Sequence, residues 1–160
     1  MCARIMVLLC MALIATTAAA REESVAPVTD PVVKQECGSC HMVFPPQFLP
    51  KRSWQKLIET LSDHFGEDAG LGEAQRQAVL DYLLAHAADS SKAGREGQKF
   101  AQSIAAGQTP LRITETPRWV EEHRKVRAER WQSPDVKSKA NCLACHKRAE
   151  QGVYEDEKRD

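Results

Sequence analysis

Two five-residue segments constrain this chain more than any other feature: Cys37-Gly38-Ser39-Cys40-His41 and Cys142-Leu143-Ala144-Cys145-His146. Both read C-x-x-C-H. On a helical turn residues i and i+3 face the same way, so both sulfurs can reach one edge of a flat macrocycle while the next imidazole swings toward its centre. This is the attachment pattern of c-type haem, in which two cysteines bond the macrocycle and the histidine supplies one axial ligand to iron. Gly38, Ser39, Leu143 and Ala144 put neither charge nor β-branch between the cysteines. A chain with two such motifs must fold around two large flat groups, here two covalently bound haem c.

Other uses of paired cysteines fit less well. Zinc ribbons set their two C-x-x-C pairs about 15–20 residues apart, whereas residues 41–141 intervene here. A thioredoxin-like redox pair expects a βαβ setting, and the sequence has almost no strand-like alternation.

The N-terminus bears on where such chemistry takes place. Arg4 is followed by an apolar run from Ile5 to Ala15 and by small residues ending Ala18-Ala19-Ala20. That order is a secretory signal peptide with cleavage near Ala20, and the run is shorter than the roughly 18 residues of a spanning helix. The expected mature protein is periplasmic, begins near Arg21 and has no membrane span. It retains four of six cysteines, all five histidines, and of the methionines only Met42. With 22 basic and 22 acidic residues in the full chain, nothing points to nucleic acid.

The second axial ligand decides whether an iron only passes electrons or also binds a substrate. Met42 directly follows His41 and cannot reach the opposite face of that haem. Three histidines remain for two distal positions: His64, His86 and His123. Ser53 is read as the cap of a helix from Trp54 to Phe65 that carries Trp54, Leu57, Ile58, Leu61 and Phe65 on one face, with His64 at its border. A second helix is expected over Glu73–Ala88, with Val79, Tyr82, Leu83 and His86 at helical spacing. Pro117 can open a third, in which Trp119, Val120, His123 and Val126 share a face. Small single-haem cytochromes run from attachment motif through distal-ligand segment to closing helix. That order favours His64 for the haem on Cys37 and Cys40 (haem 1) and leaves His86 as a surface or packing residue. His123 is then assigned to the haem on Cys142 and Cys145 (haem 2), with crossed pairing open.

The expected class is mainly α. Residues 21–29 read as a flexible N-terminus, 30–89 as a haem 1 unit and 90–109 as a connector rich in Ser, Gly, Lys and Gln. Residues 110–160 read as a small irregular and helical haem 2 unit. The flanks of the two motifs do not match, so no internal duplication is evident. The basic cluster Arg118, Arg124, Lys125, Arg127 and Arg130 is interleaved with Glu121, Glu122 and Glu129, which reads as a solvated helix face.

Over most of residues 34–157 the sequence also resembles the bacterial dihaem cytochrome c family. In the first half the resemblance rests on Cys37–His41, Phe44-Pro45-Pro46, Leu49-Pro50, Ser53-Trp54, His64-Phe65-Gly66 and Tyr82-Leu83. In the second half it rests on Leu111-Arg112-Ile113-Thr114, Trp119-Val120, His123, Ser138 through His146, and Ala149-Glu150. Arg118 departs from the pattern, where an aromatic residue is expected. The resemblance implies an N-terminal class I cytochrome c-like unit and an unrelated C-terminal haem unit. It also implies bis-histidine ligation through His41 and His64 and through His146 and His123, with low reduction potentials. The implied role is that of an electron carrier rather than an enzyme. Implied partners are other redox proteins, including a small oxygen-binding monohaem cytochrome c and a membrane b-type cytochrome. The alternative is a small haem enzyme or ligand binder with one open or displaceable iron site.

Overall fold

The computed structural model describes residues 24–155. The signal-peptide reading over residues 1–20 lies outside the described residues, as do residues 21–23 and 156–160. Among the described residues the chain is helical, with six α-helices, short 3₁₀ turns and two isolated β-bridges, Ser24 to Val153 and His64 to Glu67. No helix among them is long and apolar enough to cross a membrane.

Helix α1, Pro31–Cys37, starts where sequence chemistry places a start. Asp30 Oδ1 accepts from the Val33 amide at 3.0 Å, and Pro31 gives up no bond at a position that would leave its N–H unpaired. The helix ends on Cys37, the first cysteine of the first C-x-x-C-H segment, and buries Val33.

Residues 45–50 form a fully buried bend, with a 3₁₀ turn at Pro46–Phe48. The indole N–H of Trp54 donates to the Pro46 carbonyl at 2.8 Å, so the bend is tied to the helix after it. That helix, α2, runs Lys51–Glu59 and not Trp54–Phe65. Pro50, held extended at ψ 161°, provides the carbonyl that opens it, so Ser53 is an interior residue, fully buried, and not a cap. At the far end the Thr60 hydroxyl donates to the Lys56 carbonyl at 2.9 Å. A 3₁₀ turn, Leu61–Asp63, follows and carries His64 off the helix.

Helix α3, Glu73–His86, packs against α1 and α2. Val33, Leu49, Trp54, Leu57, Ile58, Val79 and Leu83 form the larger core. Helix α4, Gly94–Ser103, lies within the connector region and packs on the Pro46–Phe48 turn and on helix α5, Pro117–Glu122. Gly97 permits the first of these contacts, since a side chain there would sit 3.0 Å from Gln47 Cβ. Phe48, Phe100 and Trp119 meet in a second core with Val25 and Ala88, and this core joins the two halves of the chain.

Helix α5 is capped by Thr116, whose hydroxyl accepts from the Trp119 amide at 3.4 Å, with Pro117 at its first turn. It is shorter than the sequence pattern suggests. Trp119 is buried while Val120 is 52% exposed, so these two do not share a face. A short helix α6, Ala128–Trp131, and two 3₁₀ turns complete the C-terminal part. Gly152 at φ +80° closes it: the Val25 amide donates to the Gly152 carbonyl at 2.9 Å, pinning the start of the described chain to its end.

Candidate functional site

Both C-x-x-C-H segments open on one cavity of about 1840 Å³. A single small-molecule site typically occupies about 300–1000 Å³, so this volume suits more than one large group. Cys37, Cys40 and His41 stand on its wall, as do Cys142, Cys145 and His146. His64 and His123 are on it too. His86 is not among its lining residues; its ring packs on Tyr82 at 4.3 Å and its Nδ1–H donates to the Tyr82 carbonyl at 2.9 Å.

The histidines meet in pairs. The rings of His41 and His64 lie 6.3 Å apart between centroids, and those of His123 and His146 lie 6.1 Å apart. Two metal–nitrogen bonds of about 2.0–2.1 Å, the length imidazole makes with zinc, plus about 1.2 Å from each nitrogen to its ring centre give about 6.4–6.6 Å at full extension. Both pairs are therefore spaced for one metal ion between two imidazoles.

Backbone carbonyls set the tautomers. His41 donates from Nδ1 to the Met42 carbonyl at 2.7 Å, and His123 from Nδ1 to the Trp119 carbonyl at 2.8 Å. A carbonyl only accepts, so Nδ1 carries the proton and Nε2 keeps its lone pair for a metal. His146 makes a longer contact of 3.5 Å from Nδ1 to the Glu155 carbonyl. His123 is also stacked on Trp119, with centroids 4.1 Å apart and planes at 14°.

His64 is held differently. It leaves a 3₁₀ turn and pairs with Glu67 through the backbone, ahead of Phe65 at φ +60° and Gly66 at φ +101°. The guanidinium of Arg112 lies 3.7 Å over the Phe65 ring. Burial, then the neighbouring His41 and Arg112, lowers the His64 pKa and favours the neutral imidazole that a metal requires.

The four cysteines of the described residues form no disulfide with one another, which leaves their sulfurs for thioether bonds. Burial pushes Cys142 up to about 11, and burial together with Glu36 raises Cys37, so neither is a ready thiolate in the folded chain. Two polar atoms belonging to cavity-lining residues, Arg130 Nε and Tyr154 OH, are buried without a hydrogen-bond partner. Buried donors are normally satisfied, and carboxylate-bearing groups such as haem propionates would satisfy them. Volume, apolar lining, imidazole spacing and orphaned donors all fit two haems. Tyr154 has no signal in the sequence, and Arg130, expected on a solvated helix face, instead lines the cavity, because no spacing rule marks a donor that meets the cavity only through tertiary packing.

A mainly helical chain that sets two C-x-x-C-H turns on one cavity, each with a second imidazole opposite, is a c-type cytochrome with two haems. The chain belongs to the dihaem cytochrome c family, whose pattern matches residues 33–154, and carries two covalently bound haem c groups. It is similar to the solved "Diheme cytochrome c from Rhodobacter sphaeroides", at 43% identity and TM-score 0.72, over 80% of this chain and 98% of that one. A second Rhodobacter sphaeroides structure, of purified DHC, is 41% identical with TM-score 0.66, over 79% and 98%. The diheme cytochrome of Shewanella baltica OS155 is 28% identical with TM-score 0.62, over 78% and 86%. Comparison with curated proteins gives no match.

Proposed function

We propose that this protein is an exported one-electron relay in which both irons are closed by two histidines, His41 with His64 and His146 with His123. The observation that carries the proposal is the pair of imidazole separations, 6.3 and 6.1 Å, each suited to one metal. Haem iron supplies reversible one-electron chemistry when bound. The protein's own residues hold the imidazoles in place, present Nε2, and surround the site with apolar side chains. Met42, the one methionine among the described residues, is not on the cavity wall, which argues for histidine ligation and a low potential rather than a histidine–methionine pair. The signal-like N-terminus and the compartment that c-type cytochromes typically occupy support a periplasmic location. The partners would be other redox proteins, a small oxygen-binding monohaem cytochrome c and a membrane b-type cytochrome among them.

The test is the visible spectrum of the reduced holoprotein before and after carbon monoxide. No change is expected. A stoichiometric carbon monoxide complex would mean an accessible iron and would favour ligand binding or catalysis. His64→Ala and His123→Ala should each create one high-spin iron, while His86→Ala should create none.

A further inference from the structure

The two ends of the cavity differ in charge, and the difference bears on where an electron rests. Near haem 1, Glu36 precedes Cys37, and Glu67 and Asp68 follow the His64 loop; all three are on the cavity wall, and none makes an ion pair among the described residues. Among the described residues the one cation on the cavity wall there is Arg112, whose charge reaches His64 and whose exposed pair with Glu115 spans 3.6 Å, so the three carboxylates outnumber it.

Near haem 2 the balance reverses. Lys125 follows His123 by two residues, and Lys139 reaches to 5.9 Å from the Trp119 ring that stacks on His123. Both line the cavity and neither makes an ion pair among the described residues. Other charges at this end are matched: Arg118 by Glu96 and Glu122, Arg130 by Asp135, Arg127 by Glu129, and Glu155 by Arg148.

Ferric haem carries one more positive charge than ferrous haem, so nearby cations favour the ferrous form and nearby anions the ferric form. Burial acts in the same sense, because a less solvated site penalises the more highly charged oxidised centre. Cys40 and His41 are exposed and only Cys37 of the first segment is half-buried, whereas Cys142, Cys145 and His146 are all half-buried. The histidine hydrogen bonds do not oppose this. Each haem has one firmly bonded ligand, His41 at 2.7 Å or His123 at 2.8 Å, and one weakly bonded or unbonded, His64 or His146.

Resting on the relay reading above, we propose that Lys125 and Lys139, against Glu36, Glu67 and Asp68, make haem 2 the higher-potential haem, so that electrons within the protein run from haem 1 to haem 2. In that transfer the haem 1 iron is oxidised from Fe(II) to Fe(III) and the haem 2 iron is reduced from Fe(III) to Fe(II). One electron moves, no bond is made or broken, and an external one-electron donor reloads haem 1.

The ligand planes supply a spectroscopic label for each haem. The His41 and His64 rings are inclined at 27°, and the His123 and His146 rings at 87°. Nearly parallel imidazoles donate into the same iron d orbital and split it from its partner. Crossed imidazoles donate into both and leave them nearly level, which gives the ferric signal greater anisotropy in electron paramagnetic resonance. Haem 1 should thus give a resolved rhombic low-spin signal and haem 2 a highly anisotropic one.

The experiment is a dithionite titration of the oxidised holoprotein followed by electron paramagnetic resonance, repeated on Lys125→Glu and Asp68→Lys. The anisotropic signal should vanish first. Lys125→Glu should lower the more positive midpoint, and Asp68→Lys should raise the more negative one. Each should change the haem 2 to haem 1 electron ratio severalfold, a tenfold change being 59 mV for a one-electron couple. The proposal is overturned if the rhombic signal vanishes first, if Lys125→Glu acts on the more negative midpoint, or if the variants move both midpoints equally or neither. A high-spin ferric signal in the unmodified protein would instead sink the bis-histidine relay reading, a distinct outcome.

Discussion

Gly152 joins the two ends of the described chain, and Gly152→Ala tests how much the haem 2 end depends on that junction. The residue sits at φ +80°, and an added Cβ would run into the Val25 carbonyl, a backbone atom that cannot rotate away. Left-handed backbone costs an L-residue about 1–2 kcal/mol. Relieving the clash separates the strands of the Ser24–Val153 bridge and sacrifices the 2.9 Å bond from the Val25 amide, worth about 1 kcal/mol. The expected loss is about 2–3 kcal/mol. For a chain of this length 1 kcal/mol moves Tm by about 3–6 °C, so a fall of about 6–18 °C is expected in thermal melts of the holoprotein. Because Tyr154 and Glu155 follow directly and pack on or bond to His146, the haem 2 signal should broaden while the haem 1 signal stays as it was. A Tm within about 3 °C of the parent, or equal broadening of both signals, would refute this account of the junction.

Trp119→Leu removes the indole stacked on His123 but keeps the backbone carbonyl that its Nδ1–H binds. Stability measured by denaturant melts should fall by about 2–4 kcal/mol while haem 2 stays low spin; a high-spin band would show that stacking, not the carbonyl, holds the imidazole. Tyr154 is half-buried with its hydroxyl fully enclosed, and its phenol pKa is raised by burial first and then by Cys142. The fold therefore favours the neutral phenol: stability is intact below about pH 10, where the free phenol titrates, and declines as pH rises beyond it. Melts of the parent between about pH 9 and 11 should lose Tm more steeply than those of Tyr154→Phe, and identical slopes would count against the burial of this hydroxyl.

Much of the candidate site was legible because covalent chemistry demands strict spacing. Both C-x-x-C-H segments could be placed without knowing the fold, and the methionine inventory narrowed the distal ligands to three histidines. Helix α3 matches its expected span to within two residues, since Gly72 precedes it and its buried Val79 and Leu83 keep helical spacing. Helix α2 was misread because a serine before an apolar run resembles a cap. Burial of the Pro45–Pro50 bend moved the start upstream, and Thr60 ended the helix before His64. For the same reason Phe65, expected on the apolar face, is 44% exposed beneath Arg112.

The sequence alone determined that two haems are carried, and it points to the two C-x-x-C-H segments as their attachment sites, because a thioether pair and its adjacent imidazole lie within five residues. It also determined a helical class, since apolar residues recur at helical rather than alternating spacing. Only tertiary structure decided that both haem sites share one cavity, that His86 turns away to Tyr82, and that one imidazole pair lies nearly parallel and the other crossed. These depend on contacts between residues tens of positions apart, set by packing of Phe48, Phe100 and Trp119 rather than by any local spacing.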